Sequence, residues 1–317
     1  MEEGSGLGGD EKQCGEDLGA SQSKITTQTV GIENKITAEL DSDTGLALGE
    51  VLPGAASRAK VRLRLTRRDY EIFSFLLDQK FASLESLYFR FFDGRKESSD
   101  PLPENLWVAR QRLGMLKRAG LVNTERVYSE SKSLYLLSGL GFHALQSRMS
   151  ADAYSHPVKQ VDFRNYEHDQ AVTYCRIAIE KGGKCLRWFS DRRLRMQGFE
   201  VQGISQELPS TVVPDGILIS SKGERIAFEF EGTPRKKSRY EWKVSQYAGV
   251  LGPESLLQKV LFVGGTPRVH SDLQDVLQGQ RSFWLESYAH FLGRLFPSGQ
   301  AEQAHRQLKR RLSEDAL

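Results

Sequence analysis

Apolar residues in this chain recur with two periods, one helical and one strand-like. From Leu65 onward, Tyr70, Phe73, Leu76 and Leu77 share one face of a helix that Thr66 can cap. Ser83 can cap a second helix carrying Leu84, Leu87, Tyr88 and Phe91. A third helix is predicted from about Glu104 to Ala119, with Trp107, Val108, Leu113 and Leu116 inward and Gly120 as its stop. Two alternating segments follow, Leu121 to Tyr128 and Ser133 to Leu137, around a polar turn with Ser129, Ser131 and Lys132. Three helices and a β-hairpin predict a winged helix-turn-helix over residues 58–146.

After a linker over residues 147–162, the pattern restarts with a helix from about Asn165 to Lys181. It sets His168, Ala171, Val172, Cys175, Ala178 and Ile179 along one stripe. Strand-like runs are predicted at Lys184 to Phe189, Val212 to Ile219, Arg225 to Phe230, Lys259 to Val263 and Ser282 to Trp284. Helices at Lys236 to Leu251 and Ser271 to Gln278 separate the later ones. The expected fold is therefore α+β or α/β, a mixed-sheet domain over 163–296 behind the winged helix, with a charged terminal helix within 297–317.

Charge changes this picture at both ends of the argument. The 317 residues carry a formal net charge of +3, yet residues 1–57 hold eleven Asp/Glu against three Lys/Arg. That segment has no aromatic residue and is expected to be a disordered acidic tail. The remainder is correspondingly basic, which suits a polyanionic partner. No apolar run approaches membrane-spanning length, and the first residues lack the order of a signal peptide, so a cytoplasmic protein is expected. Cys14, Cys175 and Cys185 are too few and scattered for a disulfide framework or a zinc site.

In a winged helix the third helix enters the major groove, where long polar side chains read base edges. Asn105, Arg110, Gln111, Arg112, Lys117 and Arg118 supply them, with Lys132 in the wing. Arg67 and Arg68 belong to a further basic cluster, with Arg58, Lys60, Arg62 and Arg64, placed to contact phosphates of double-stranded DNA. The stretch from Arg112 to Val122 resembles the L-x-x-L-x-x-x-G-L-V ending of many winged-helix regulators. A winged helix used for protein contact alone is the competing reading.

Val213-Pro-Asp-Gly216 and Phe228-Glu-Phe-Glu231 bring three carboxylates, Asp215, Glu229 and Glu231, to neighbouring predicted strands. Alternation puts Glu229 and Glu231 on one face and Phe228 and Phe230 on the other. Like charges so placed need a cation or a proton between them, and such oxygens suit Mg²⁺ or Mn²⁺. These residues resemble the restriction-endonuclease-like PD-(D/E)xK superfamily, except that Glu231 stands at the usual lysine position. The resemblance implies a metal on Asp215 and Glu229, with Glu231 completing its shell or orienting water. It also implies a lysine that has migrated to the following helix, where Lys243 lies one turn before Tyr247. His168, between Glu167 and Asp169, is a further candidate metal residue.

Across residues 65 to 290 the chain resembles the replication-relaxation, or MobC-like, family of plasmids and mobile elements. The supporting segments are Leu65-Thr-Arg-Arg-Asp69, Tyr166-Glu-His-Asp169, Val213-Pro-Asp-Gly216 and Glu229-Phe-Glu-Gly-Thr233, together with Lys243 and Tyr247. The resemblance implies DNA replication, relaxation or mobilisation, with a relaxase or replication protein as partner. Two classes stay open: a Mg²⁺- or Mn²⁺-dependent endonuclease, and a non-catalytic accessory protein or transcriptional regulator built on a degenerate nuclease fold.

Overall fold

The computed structural model describes residues 63–95, 100, 102–103, 106–127, 133–148, 156–197, 199–201, 204–206, 212–253, 255–297 and 299–303. The expected acidic tail, residues 149–155 of the linker and most of the terminal helix lie outside these residues.

Helix α1 (Arg67–Gln79) starts at Thr66, whose N–H and hydroxyl both donate to Asp69, at 2.6 and 2.8 Å. Strand β1 (Ala82–Ser83), α2 (Leu84–Phe91) and α3 (Trp107–Arg118) follow, then β2 (Val122–Glu125), β3 (Leu134–Leu137) and α4 (Gly139–Gln146). The three strands form an antiparallel sheet in the order β1-β3-β2. Helix α3 buries Ala109, Leu113 and Leu116, but Trp107 and Val108, expected inward, are 62% and 54% exposed. The inward stripe begins at Ala109, so the two apolar residues of the first turn fall on the solvent side.

The second half contains α5 (Tyr166–Lys181), β4 (Cys185–Ser190), α6 (Asp191–Gln197), β5 (Phe199–Val201), β6 (Ile204–Gln206), β7 (Gly216–Ser220) and β8 (Arg225–Glu231). It continues with α7 (Lys237–Ala248), β9 (Lys259–Gly264), α8 (Pro267–Leu277), β10 (Phe283–Ser287) and α9 (Tyr288–Gly293). Five strands form one mixed sheet in the order β10-β9-β8-β7-β4, parallel between β8, β9 and β10 and antiparallel elsewhere. The molecule is thus α+β with a mixed sheet. Among the described residues no helix is long and apolar enough to cross a membrane.

Alternation along β8 divides the core. Phe228 and Phe230 pack with Cys175 of α5 and Tyr288 of α9, whereas Ala227 packs with Tyr240, Val244 and Tyr247 of α7. Strand β7 begins at Gly216, later than the Val212 start expected. Pro214 has no N–H for a ladder, and the Asp215 side chain accepts the Phe230 N–H at 2.8 Å. Gly216 is required by packing: a Cβ there would lie 2.3 Å from the Trp188 ring.

One apolar core runs from Ile72 of α1 to Phe296, because α2 and β1 pack on α5. The join is polar as well. Arg176 of α5 donates to Asp78 of α1 and, at 3.0 Å, to Glu180, while Ser190 donates to Asp78 at 2.8 Å. Lys80 reaches both Asp169 and Asp191 at 3.1 Å, and Gln170 donates to Ser86 at 2.9 Å. Helix α1 therefore buries a second face, including Phe75, Asp78 and Gln79.

Candidate functional site

Lys243 occupies the centre of the carboxylate cluster. Its Nζ donates to Glu229 Oε2 at 2.9 Å and to Glu231 Oε1 at 2.5 Å. One helical turn on, Tyr247 donates its hydroxyl to the other Glu229 oxygen. Strand alternation sets the two glutamates on the face that α7 covers, and the spacing of Lys243 and Tyr247 aims both donors at it.

Asp215 stands one residue before the Gly216–Phe228 pair, which puts it opposite Glu229 in the β7–β8 register. Its Oδ2 accepts from Phe230 N–H at 2.8 Å and from His168 Nε2 at 3.1 Å. His168 Nδ1 faces Asp169 Oδ1 at 3.7 Å, so the imidazole lies between two carboxylates. Its ring also meets Phe230 edge-on, with centroids 5.7 Å apart.

Electrostatics separate the members of this cluster. Burial pushes the Glu229 carboxyl up to about 7, against the pull of Lys243 and Tyr247, and the Asp215 charge adds to the rise. Burial alone would depress the Lys243 ammonium, but Glu229, Glu231 and Asp215 outweigh it and hold it above the ordinary lysine range. Burial works against ionised Asp215 too, yet His168, Lys243 and the Phe230 N–H keep its carboxyl below the usual value. The same balance leaves His168 well above the ordinary histidine value, since Asp215 and Asp169 overcome its desolvation. Asp215 and His168 thus each favour the charged form of the other.

This donor set suits a lysine cation. A divalent ion needs several oxygens turned to one point, and here Lys243 stands between Glu229 and Glu231. His168 Nε2 is turned to Asp215 Oδ2 at 3.1 Å, so Asp215 and His168 face each other within the cluster. Among the described residues no group of three or more His, Cys, Asp or Glu side chains is arranged to hold a metal ion. Of its neighbours, Asp169 is turned to Lys80.

The expected DNA-contacting residues divide in two. Arg110, Gln111 and Lys117 are exposed on α3, beside Arg118. Arg112 turns the other way: its Nε donates at 2.8 Å to fully buried Asp69, and its Nη2 reaches Asp69 and the Arg64 carbonyl. Arg67 pairs with Glu71 at 3.0 Å, and Arg68 lies 5.1 Å from the Phe92 ring centroid. Asn105 and Lys132 lie outside the described residues.

Sequence reasoning missed a groove of about 700 Å³ beside the cluster, lined by Arg235, Lys236, Arg239, Trp242, Lys243 and Glu231, among others. The basic run from Arg235 to Arg239, directly after Glu231, was the available signal. No protein-family model, curated protein or solved structure matches this chain.

Proposed function

We propose that this is a double-stranded-DNA-binding protein whose amino-terminal half is a winged helix-turn-helix. The element order α1-β1-α2-α3-β2-β3 supports that assignment. The observation that carries the function is the outer face of α3, where Arg110, Gln111, Lys117 and Arg118 are all exposed. On the resemblance of its short motifs, the protein serves a plasmid or mobile element in replication, relaxation or mobilisation, alongside a relaxase or replication protein.

Titration of labelled duplex over a salt series tests this. Lys117→Glu and Arg118→Glu should each weaken binding across sequences and lower the salt slope by about one. Unchanged affinity in both variants would sink the assignment.

A second reading, phosphodiester cleavage, is favoured by the convergence of Asp215, Glu229, Glu231 and Lys243 in the mixed sheet and its covering helix, together with the PD-(D/E)xK resemblance of the sequence. An ion bound there must displace Lys243 from between the glutamates. Nicking of supercoiled plasmid with Mg²⁺ or Mn²⁺, lost in Asp215→Asn, would support it; binding without nicking would leave the accessory or regulatory role.

A further inference from the structure

The groove at the start of α7 combines two features that select different parts of one ligand. Arg235, Lys236 and Arg239 are exposed cations along it, and Lys243 and Glu231 line it as well. Amid them Trp242 is 42% exposed, with the Arg239 guanidinium 4.7 Å from its ring centroid. The loop that carries the first cations is pinned. Buried Tyr240 accepts the Arg235 N–H at 3.0 Å and donates to the Thr233 carbonyl at 3.3 Å.

Cations alone would attract any polyanion. An exposed indole set among them narrows the choice, because an apolar ring in a charged groove gains most from a ligand with a flat π face. An acidic peptide brings charge but no such face in its repeat. A duplex brings charge and keeps its base faces stacked internally. A single strand presents phosphates and unstacked bases together.

We infer that this groove binds single-stranded DNA, with the sugar-phosphate backbone along Arg235, Lys236 and Arg239 and a base stacked on Trp242. The inference rests on the DNA-binding reading above for its choice of polyanion and adds a second, strand-selective site. A strand so placed runs beside Glu231 and Lys243, so the carboxylate cluster faces a single strand while α3 engages duplex.

The test uses the full chain in chelator and measures anisotropy of a labelled oligo-dT, an abasic oligomer of equal length and a duplex. Native protein should bind oligo-dT more tightly than the abasic oligomer. Trp242→Ala should lose about tenfold for oligo-dT, the size of one lost base–aromatic stack, and nothing for the abasic oligomer or duplex. Trp242→Phe should retain most of the affinity, which separates stacking from a folding defect. Equal binding of dT and abasic oligomers by native protein would overturn the inference. So would an unchanged Trp242→Ala, or competition by polyglutamate as effective as by oligo-dT. Lys117→Glu distinguishes the two readings: it should lose duplex and keep oligo-dT. Trp242-dependent oligo-dT binding without duplex binding would sink only the α3 assignment, and duplex binding without it would sink only this one.

Discussion

Lys243 Nζ donates to Glu229 Oε2 across 2.9 Å, joining α7 to the central strand of the sheet. The ammonium is the cation that two glutamates on one strand face require, and it comes from the covering helix. Lys243→Ala would leave Glu229 and Glu231 without it. The expected loss is on the order of 2–3 kcal/mol, below the figure for a fully buried pair because the lysine side chain is partly exposed. Urea denaturation measures it. Mn²⁺ should raise the melting temperature of the variant more than that of the native protein, since only the variant leaves the position between the glutamates open to an ion. Native stability in the variant, with no response to Mn²⁺, would show that the pair contributes nothing.

The cluster also predicts how stability varies with pH. Glu229 is raised by burial from 4.5 to about 7, so between those values the folded protein binds the extra proton. Its contribution is complete below about pH 4.5 and is lost as pH rises to about 7, an amount of roughly 3 kcal/mol. His168, raised by its two carboxylates, acts in the same sense, beginning above its unfolded value of 6.5. Asp215, held low, contributes above 3.8 and loses that only as pH falls further. Unfolding free energy should therefore decline from about pH 4.5 towards neutrality, and Glu229→Gln should flatten that decline. An equal slope in both proteins would refute the assignment.

The parts of this molecule that follow one local period were legible in the sequence. Alternation placed Phe228 and Phe230 opposite Glu229 and Glu231 on β8, and the α5 stripe gave Ala171, Val172 and Cys175 as core; Lys243 was legible only as a lysine on the following helix, and its reach to Glu229, like that of Tyr247, came from the structure. Asp78 and Gln79 were not legible. Charged and amide residues at the end of an amphipathic helix look solvated, and their partners Arg176 and Thr173 lie more than ninety residues away. Trp107 failed in the opposite direction: apolar character suggested burial, but burial depends on what packs against the face. The groove at Trp242 escaped because it is defined by the shape between a loop and a helix.

Asp78 and Arg176 tie the two halves together, and both side chains are largely buried. Asp78→Ala leaves Arg176 with Glu180 and removes the acceptor for Ser190. The cost should be about 3 kcal/mol. Because one apolar core spans α1, α2 and α5, the native chain should unfold in a single transition, with tryptophan fluorescence and far-ultraviolet circular dichroism coinciding. Two separated transitions in the native protein would show that the join does not couple the halves.

Arg112 and Lys117 sit on the same helix and should fail differently. Arg112 neutralises Asp69, which is fully buried and also fastens the start of α1 through Thr66. Arg112→Ala should therefore cost about 2–3 kcal/mol, the penalty of a buried carboxylate that loses its cation but keeps its Thr66 hydrogen bonds. The affinity of the remaining folded molecules for duplex should stay close to native. Lys117 is exposed on the outer face, so Lys117→Ala should change stability by no more than about 0.5 kcal/mol. Its effect should appear in duplex affinity and in the salt dependence of binding. Chemical denaturation and duplex titration of the two variants check this crossed pattern. If Arg112→Ala is as stable as native and Lys117→Ala is not, the division of α3 into a structural and a binding face is wrong.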